Sequence, residues 1–214
     1  TLYQDEINQK LLPKKSEDKL IFEEAKQLPI KKDVVMQQLI SYAVGCIMGR
    51  YRLDIPGLHI AHPNPTPEEV CTYTYNEKDF TIDEDAIIPL MGSNGNFADD
   101  GINRFRYFLE VVWGADTLTE NLNFLQACLD QDLEKYLVKD FWKDHCRRYK
   151  KKPIYWLFAS PNNAFQVLVY MHRMNPYTVD TIRSKYLLPH MQYLQSKIDG
   201  MQANEATLSA AAVR

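Results

Sequence analysis

Two apolar runs separated by a short polar turn constrain this chain more than any other feature. Residues 154–160 read IYWLFAS, residues 165–173 read FQVLVYMHR, and PNNA joins them. Both runs are rich in aromatic and β-branched residues, and a brief Pro/Asn turn between such runs predicts a β-hairpin over about 153–173. The second run is long and does not alternate cleanly, so a helix remains open for it. Either way the stretch belongs in a core, and the segments around it carry helical periods that could supply the cover.

The clearest helix is DVVMQQLISYAVGCIMGRY, where Val35, Leu39, Ala43 and Ile47 recur at steps of four and Ile40, Val44 and Met48 widen the stripe. Asp33 suits its N-cap, and its end is expected near Arg50. Gly45 and Gly49 each cost roughly 1 kcal/mol of helix propensity, which close approach of another backbone would offset. Ile102, Phe105, Phe108, Leu109 and Val112 share a second helical face, bounded by Gly101 and Gly114. Thr117 and Glu120 form a capping-box pattern before the stripe Leu118, Leu122, Leu125, Leu129. Leu133, Leu137 and Phe141 continue into another helix that Pro153 should stop. From Thr178 the chain is helical again, kinked at Pro189, with a heptad seam of Leu187, Met191, Leu194, Ile198 and Met201, continued weakly by Leu208 and Ala212. A short helix at 17–27 is expected in the charged, proline-spaced beginning, and MGSNGNFADDG reads as a flexible loop. The expected class is mainly α (α+β), with the small hairpin near 153–173 and a C-terminal helix able to begin a coiled coil. The expected division is a leading segment over 1–32, a helical module over 33–176 and a helical extension over 177–214.

Charge decides which functions remain open. The net charge is −3 with a pI near 6.0, which excludes a uniformly basic nucleic-acid binder. The distribution is uneven: residues 68–100 hold nine acids and one base, leaving 24 bases against 19 acids elsewhere. A cationic face can therefore coexist with a negative total. Between Lys143 and Lys152 stand six cations (Lys143, Arg147, Arg148, Lys150, Lys151, Lys152) and one acid. Such a cluster could grip phosphates, or it could be a solvated helix end complementing the dipole. Tyr149, Tyr155 and Trp156 nearby could stack on bases, although a strand holding Trp, Leu and Phe is more simply a core strand.

Other chemistry is sparse. MGSNGNF lacks the spacing of a phosphate loop or dinucleotide fingerprint. His59 and His62 have no Cys or acid at a metal-ligand step, so two solvent-facing loop histidines are expected. Asp99 and Asp100 precede a helix and read as capping acids, and Asp83, Glu84 and Asp85 form a second acidic group. Ser160 lies in no nucleophile motif. Cys46, Cys71, Cys128 and Cys146 are widely spaced, as expected of reduced thiols, with Cys46 and Cys128 on apolar faces. The first residues have no apolar signal core and no stretch reaches ~18 consecutive apolar residues, so a soluble, cytoplasmic protein without a membrane partner is expected.

Two stretches resemble a known family. LISYAVGCIMGRYRLDIPGL (39–58) and the long segment from DFWKDHCRRYKKK through PIYWLFASPNNAFQVLVYMHR to SKYL (140–187) are similar to the C-terminal half of the PglX family. These are adenine-specific DNA methyltransferases of BREX phage-defence systems, related to type IIG restriction–modification enzymes. DDGINRFRYFLEVVWG and TENLNFLQACL fit the same region, and the likeness runs from Thr1 to about Leu194. The family's Asn-Pro-Pro-Tyr motif, which holds the extruded adenine, and its S-adenosylmethionine motif have no counterpart here; HPNPTP is not the former. The resemblance therefore implies a fragment or separate C-terminal module with no catalytic, cofactor or metal residue of its own. S-adenosylmethionine would be bound elsewhere in the full enzyme.

Two functions stay open. The first is a target-recognition or clamp module for double-stranded DNA, in which the 143–152 cluster contacts phosphates, Arg50 and Arg52 add a second pair, and Asn94, Asn96, Asn162 or Asn163 could reach base edges. The second is a helical scaffold for other defence-system proteins, docked through the seam from Leu187, with the arginines paired to acids inside the fold. A stand-alone enzyme is remote, because no set of convergent titratable groups can be assembled.

Overall fold

The computed structural model describes residues 30–150 and 152–212, apart from the side chains of 94 and 206–212. The helix expected at 17–27, Lys151 and the side chains of Asn94, Leu208 and Ala212 lie outside that description. In chain order the elements are α1 (Lys32–Ile47), β1 (Thr72–Tyr75), β2 (Lys78–Thr81), β3 (Ile87–Pro89), a 3-10 turn (Gly92–Asn94), α2 (Gly101–Trp113) and α3 (Leu118–Leu129). Then come α4 (Leu133–Lys135), α5 (Phe141–Arg148), β4 (Tyr155–Ala159), β5 (Gln166–Tyr170), a 3-10 turn (Met171–Arg173), α6 (Thr178–Thr181) and α7 (Leu188–Ala212). A π-helical segment (Tyr136–Asp140) joins α4 to α5, and another (Ile182–Leu187) joins α6 to α7. The mainly helical α+β class is the one expected.

The hairpin forms, with Trp156 opposite Val169 and Leu157 opposite Leu168. β3 pairs with the other side of β5, giving the order β3-β5-β4 and leaving β4 at an edge. All five β5 residues are buried. Leu168 and Tyr170 join the main core with Tyr155, Ile88 and the helices α1 and α2. Val167 and Val169 point the other way and pack with Ile87, Ile182 and Tyr186. A strand covered on both faces has no reason to alternate, which is why its sequence does not distinguish it from a helix. Gln166 begins this strand, and its buried amide donates to Leu90 O (2.6 Å) and Val138 O (2.9 Å). The second acceptor lies in the first π segment, so the widened helix is tied to the sheet.

α1 ends at Ile47, earlier than expected, because Gly49 takes φ +78° and turns the chain out of the helix. The Arg50 N–H then donates to Gly45 O at 2.8 Å. The close neighbours of Gly45 are the Tyr51 ring and the Tyr155 hydroxyl, side chains rather than the expected backbone. Asp100 caps α2, accepting from Ile102 N at 2.9 Å. The Thr117–Glu120 box does not form; the Thr117 hydroxyl donates back to Trp113 O and Gly114 O. α5 stops at Arg148, before Pro153, where Lys150 adopts φ 51°. β1 and β2 make a hairpin within the acidic segment that the charge reading had obscured; TYTY and KDFT flank a turn with positive φ at Asn76 and Glu77. Pro189 is the second residue of α7, where the preceding π segment absorbs the missing N–H donor.

Arg173 sits 5% exposed and fastens these parts together, donating to Met48 O (3.0 Å), Asp83 O (2.7 Å) and Glu84 O (2.6 Å). Gly49 lies against it, and a Cβ there would meet Ile82 Cγ2 at 2.7 Å and Ile60 Cδ1 at 2.9 Å. Gly49→Ala should therefore cost about 2 kcal/mol from overpacking and positive-φ strain, lowering Tm by roughly 4–8 °C in thermal unfolding. An unchanged Tm would show that the loop relaxes freely.

Candidate nucleic-acid interface

The basic cluster occupies the end of α5 and the turn leading to β4. Lys143, Arg147, Lys150 and Lys152 are exposed, while Arg148 is half-buried and reaches Gln37 O at 3.5 Å. Lys143 pairs with Asp140 at 3.2 Å and Arg147 with Asp144 at 3.1 Å, both one helical turn away. Such exposed pairs are worth ~0–1 kcal/mol and yield readily to a stronger anion. The Lys150 N–H donates to Arg147 O and the Lys152 N–H to Tyr149 O, so the lysine run is a tight turn rather than more helix.

One residue fixes this turn. His145 is 1% exposed, and its Nε2 accepts from Ile154 N (3.1 Å) and Tyr155 N (3.3 Å). A ring nitrogen that accepts twice carries no proton, so the proton belongs on Nδ1, which has no hydrogen-bond partner among the described residues. The rings of Tyr149 and Tyr155 lie 4.6 and 4.8 Å away. Burial lowers the His145 pKa to about 4, with the Arg148 and Arg50 charges acting in the same direction.

Arg50 and Arg52 are both engaged within the fold. Arg50 is half-buried, donates to Tyr51 Oη (3.1 Å) and Tyr170 Oη (2.9 Å), and lies over both rings. Arg52 makes a two-point contact with Asp54 at 2.9 and 2.6 Å and stacks 4.3 Å from the Tyr73 ring centre. Tyr170 packs on Tyr155 at 5.6 Å, so Arg50 and His145 border one aromatic cluster. Of the aromatics near the basic run, Tyr155 is buried and unavailable for stacking, whereas Trp156 is 44% exposed.

The asparagine loops are brought together, away from the cations. Phe97, beside Asn96, and Phe165, beside the 162–163 turn, both pack on His190, whose Nε2 donates to Ala164 O at 3.1 Å. Asn96, Asn162 and Asn163 are exposed. Asn162 Oδ1 accepts from Ser160 Oγ and Ala164 N, giving Ser160 a turn-building role. Strand β4 separates this rim from the basic turn by roughly 16 Å at ~3.3 Å per residue.

The remaining sequence candidates serve the fold. His59 Nε2 contacts Glu69 O and His62 Nε2 contacts Glu69 Oε1, both at 3.0 Å. Among the described residues no group of three or more His, Cys, Asp or Glu could hold a metal ion. Cys46 is buried and all four thiols are free. Asp100 accepts from Met91 N and Gly92 N as well as capping α2, so the loop before it is fastened. Asp83 and Asp85 share the Ile87 N–H (3.2 and 3.0 Å), and Asp85 also holds Lys185 (2.6 Å) and the Tyr186 hydroxyl (3.0 Å). Burial and the neighbouring Asp85 charge push the Asp83 carboxyl up to about 7. Sequence reading missed His145, Lys139 and Trp142 around the basic turn; the i, i+3 step from Trp142 to His145 was the available signal. No helix among the described residues is long and apolar enough to cross a membrane.

No family model matches the chain. It is 40% identical over 188 residues to the adenine-specific methyltransferase BrxX of Escherichia coli O9:H4 (strain HS), covering 80% of this chain. It is 34% identical over 198 residues to the adenine-specific methyltransferase PglX of Lacticaseibacillus casei (strain Zhang), covering 87% of this chain. In both cases the match spans 16% of the relative's length.

His145 and Asp83 shape the pH response in opposite directions. His145 resists protonation when folded, so its contribution is complete above pH 6.5 and is lost as pH falls toward about 4. Asp83 takes its proton more readily when folded, so its contribution is complete below its ordinary 3.8 and is lost as pH rises through about 7. The two offset each other in the native chain. In an Asp83→Asn background, urea unfolding should therefore show stability dropping on the order of 3 kcal/mol between neutral pH and pH 4, and adding His145→Gln should remove most of that slope. Parallel pH profiles for the single and double variants would contradict the neutral-histidine assignment.

Proposed function

We propose, from the homology of this chain to one segment of the adenine-specific methyltransferases BrxX and PglX, that it is a non-catalytic C-terminal module of an adenine-N6 DNA methyltransferase in bacterial phage defence, where it helps clamp or recognise target DNA. The observation that carries this reading is the exposed cationic turn, held by His145 at the junction of α5 and β4. Arg147, Lys150, Lys152 and Lys143, with Lys151 in the same run, would neutralise phosphates and fix the register of the duplex. Arg50 and Arg52 would reach phosphate only by giving up their tyrosine and Asp54 partners. The rim around His190 would meet the duplex, if at all, at a separate place along β4. Methyl transfer and S-adenosylmethionine binding belong, in this reading, to the rest of the enzyme.

A second reading rests on α7. Met191 (55%), Ile198 (47%) and Met201 (67%) expose the heptad seam, which suits docking of another protein of the defence complex.

Fluorescence anisotropy with a short duplex across a salt series separates the two. The first reading expects binding with a steep salt slope. The triple variant R147E/K150E/K152E should remain folded, bind much more weakly and lose about 3 from the slope, roughly one per phosphate contact. No duplex binding at low salt would favour the scaffold reading.

A further inference from the structure

Beside the basic turn the structure holds two tryptophans that the fold does not fully use. Trp142 on α5 and Trp156 on β4 meet edge to face, with ring centres 5.6 Å apart and planes at 73°. Trp156 is 44% exposed and Trp142 half-buried. Trp156 lies on the edge strand, opposite Val169, and its side chain belongs to neither buried cluster. Trp142 is braced from behind by His145, the rings stacking at 6.1 Å and 21°. The pair is therefore positioned by the same joint that fixes the basic turn.

The surrounding charge is one-sided. Residues 139–152 contain seven cations and two acids, a surplus of five, and the acids are the exposed partners Asp140 and Asp144. Lys139 and Lys143 flank Trp142 in sequence, and Lys152 precedes Trp156 by four residues. A ligand that matches this surface offers planar rings and repeated negative charge together. A duplex satisfies only half of that, since its base faces are already stacked. An unpaired strand satisfies both, because each base has a free π-face and each linkage a phosphate.

We infer that Trp156, supported by Trp142, is a stacking platform for an unpaired base, and that this face prefers single-stranded nucleic acid to duplex. The inference rests on reading the basic turn as a nucleic-acid surface, and it adds what that reading lacks, the state of the strand that is held. One stacked base contributes ~1–3 kcal/mol.

Tryptophan fluorescence tests this on the whole chain in a Trp113→Phe background, which removes the third indole. The probes are an oligothymidylate, a duplex of equal length and polyglutamate. Quenching by the oligothymidylate, with affinity at least about tenfold above the duplex, is expected. Trp156→Ala should cut single-strand affinity about tenfold and leave duplex affinity unchanged, with Trp156→Phe recovering part of the loss. Circular dichroism confirms that each variant is folded. Equal affinity for both nucleic acids, unaltered in Trp156→Ala, overturns the inference and leaves the duplex reading standing. Equal quenching by polyglutamate overturns it in favour of an acidic peptide. Binding of the single strand without the duplex supports the platform and removes the duplex clamp, and binding of neither removes both.

Discussion

The arrangement depends on a neutral imidazole. His145 accepts two consecutive backbone N–H groups from the start of β4, and so joins a helix end to a strand start without a regular element between them. Only an unprotonated Nε2 can do this. Burial and the adjacent arginines keep it unprotonated. Arg148 and Arg50 are thus more than surface charge, since they hold the joint in the state that positions them. The chain from 149 to 153 is then a short span between two fixed points, and its lysines have no course except outward. The same ring supports Trp142 from behind.

A second set of buried polar contacts holds the opposite face of the sheet. Arg173 collects three carbonyls from the end of α1 and the approach to β3. Asp83 and Asp85 then share the first N–H of β3, and Asp85 secures Lys185 and Tyr186 on the second π segment. Asp83 is a carboxylate with little water around it, beside another carboxylate, and that combination raises its affinity for a proton. These contacts place α6 and its continuation over Val167 and Val169, so β5 is buried on both sides.

Much of this was legible in the residues. The periods of α1, α2 and α3 are strong because each has a single buried stripe, and the hairpin followed from β-rich runs around PNNA. What failed did so for local reasons. β1 and β2 carry acids on their exposed faces, which concealed a two-residue period in TYTY and KDFT. Gly49 marked a chain reversal rather than a costly helical position, and Thr117 had the composition of a cap but bonded backward. The basic run was visible at once, and its turn geometry was not, because the anchoring His145 contacts residues 9 and 10 positions away. The partners of Arg50 lie 120 residues off in Tyr170, a distance no local pattern encodes.

The two π segments bear on how such a chain can vary. Each winds more residues into a turn than an α-helix needs. If one residue were lost between 182 and 187, the segment would rewind as α-helix and everything beyond it would rotate by about 100°. Lys185 and Tyr186 would no longer meet Asp85, and the Met191–Met201 stripe would turn to a new bearing. The exposed proline-rich stretch at 63–67 carries no such penalty. Insertions and deletions among homologues should therefore accumulate in that stretch and be excluded from the wide turns, so that there the spacing of residues is held as firmly as their chemistry.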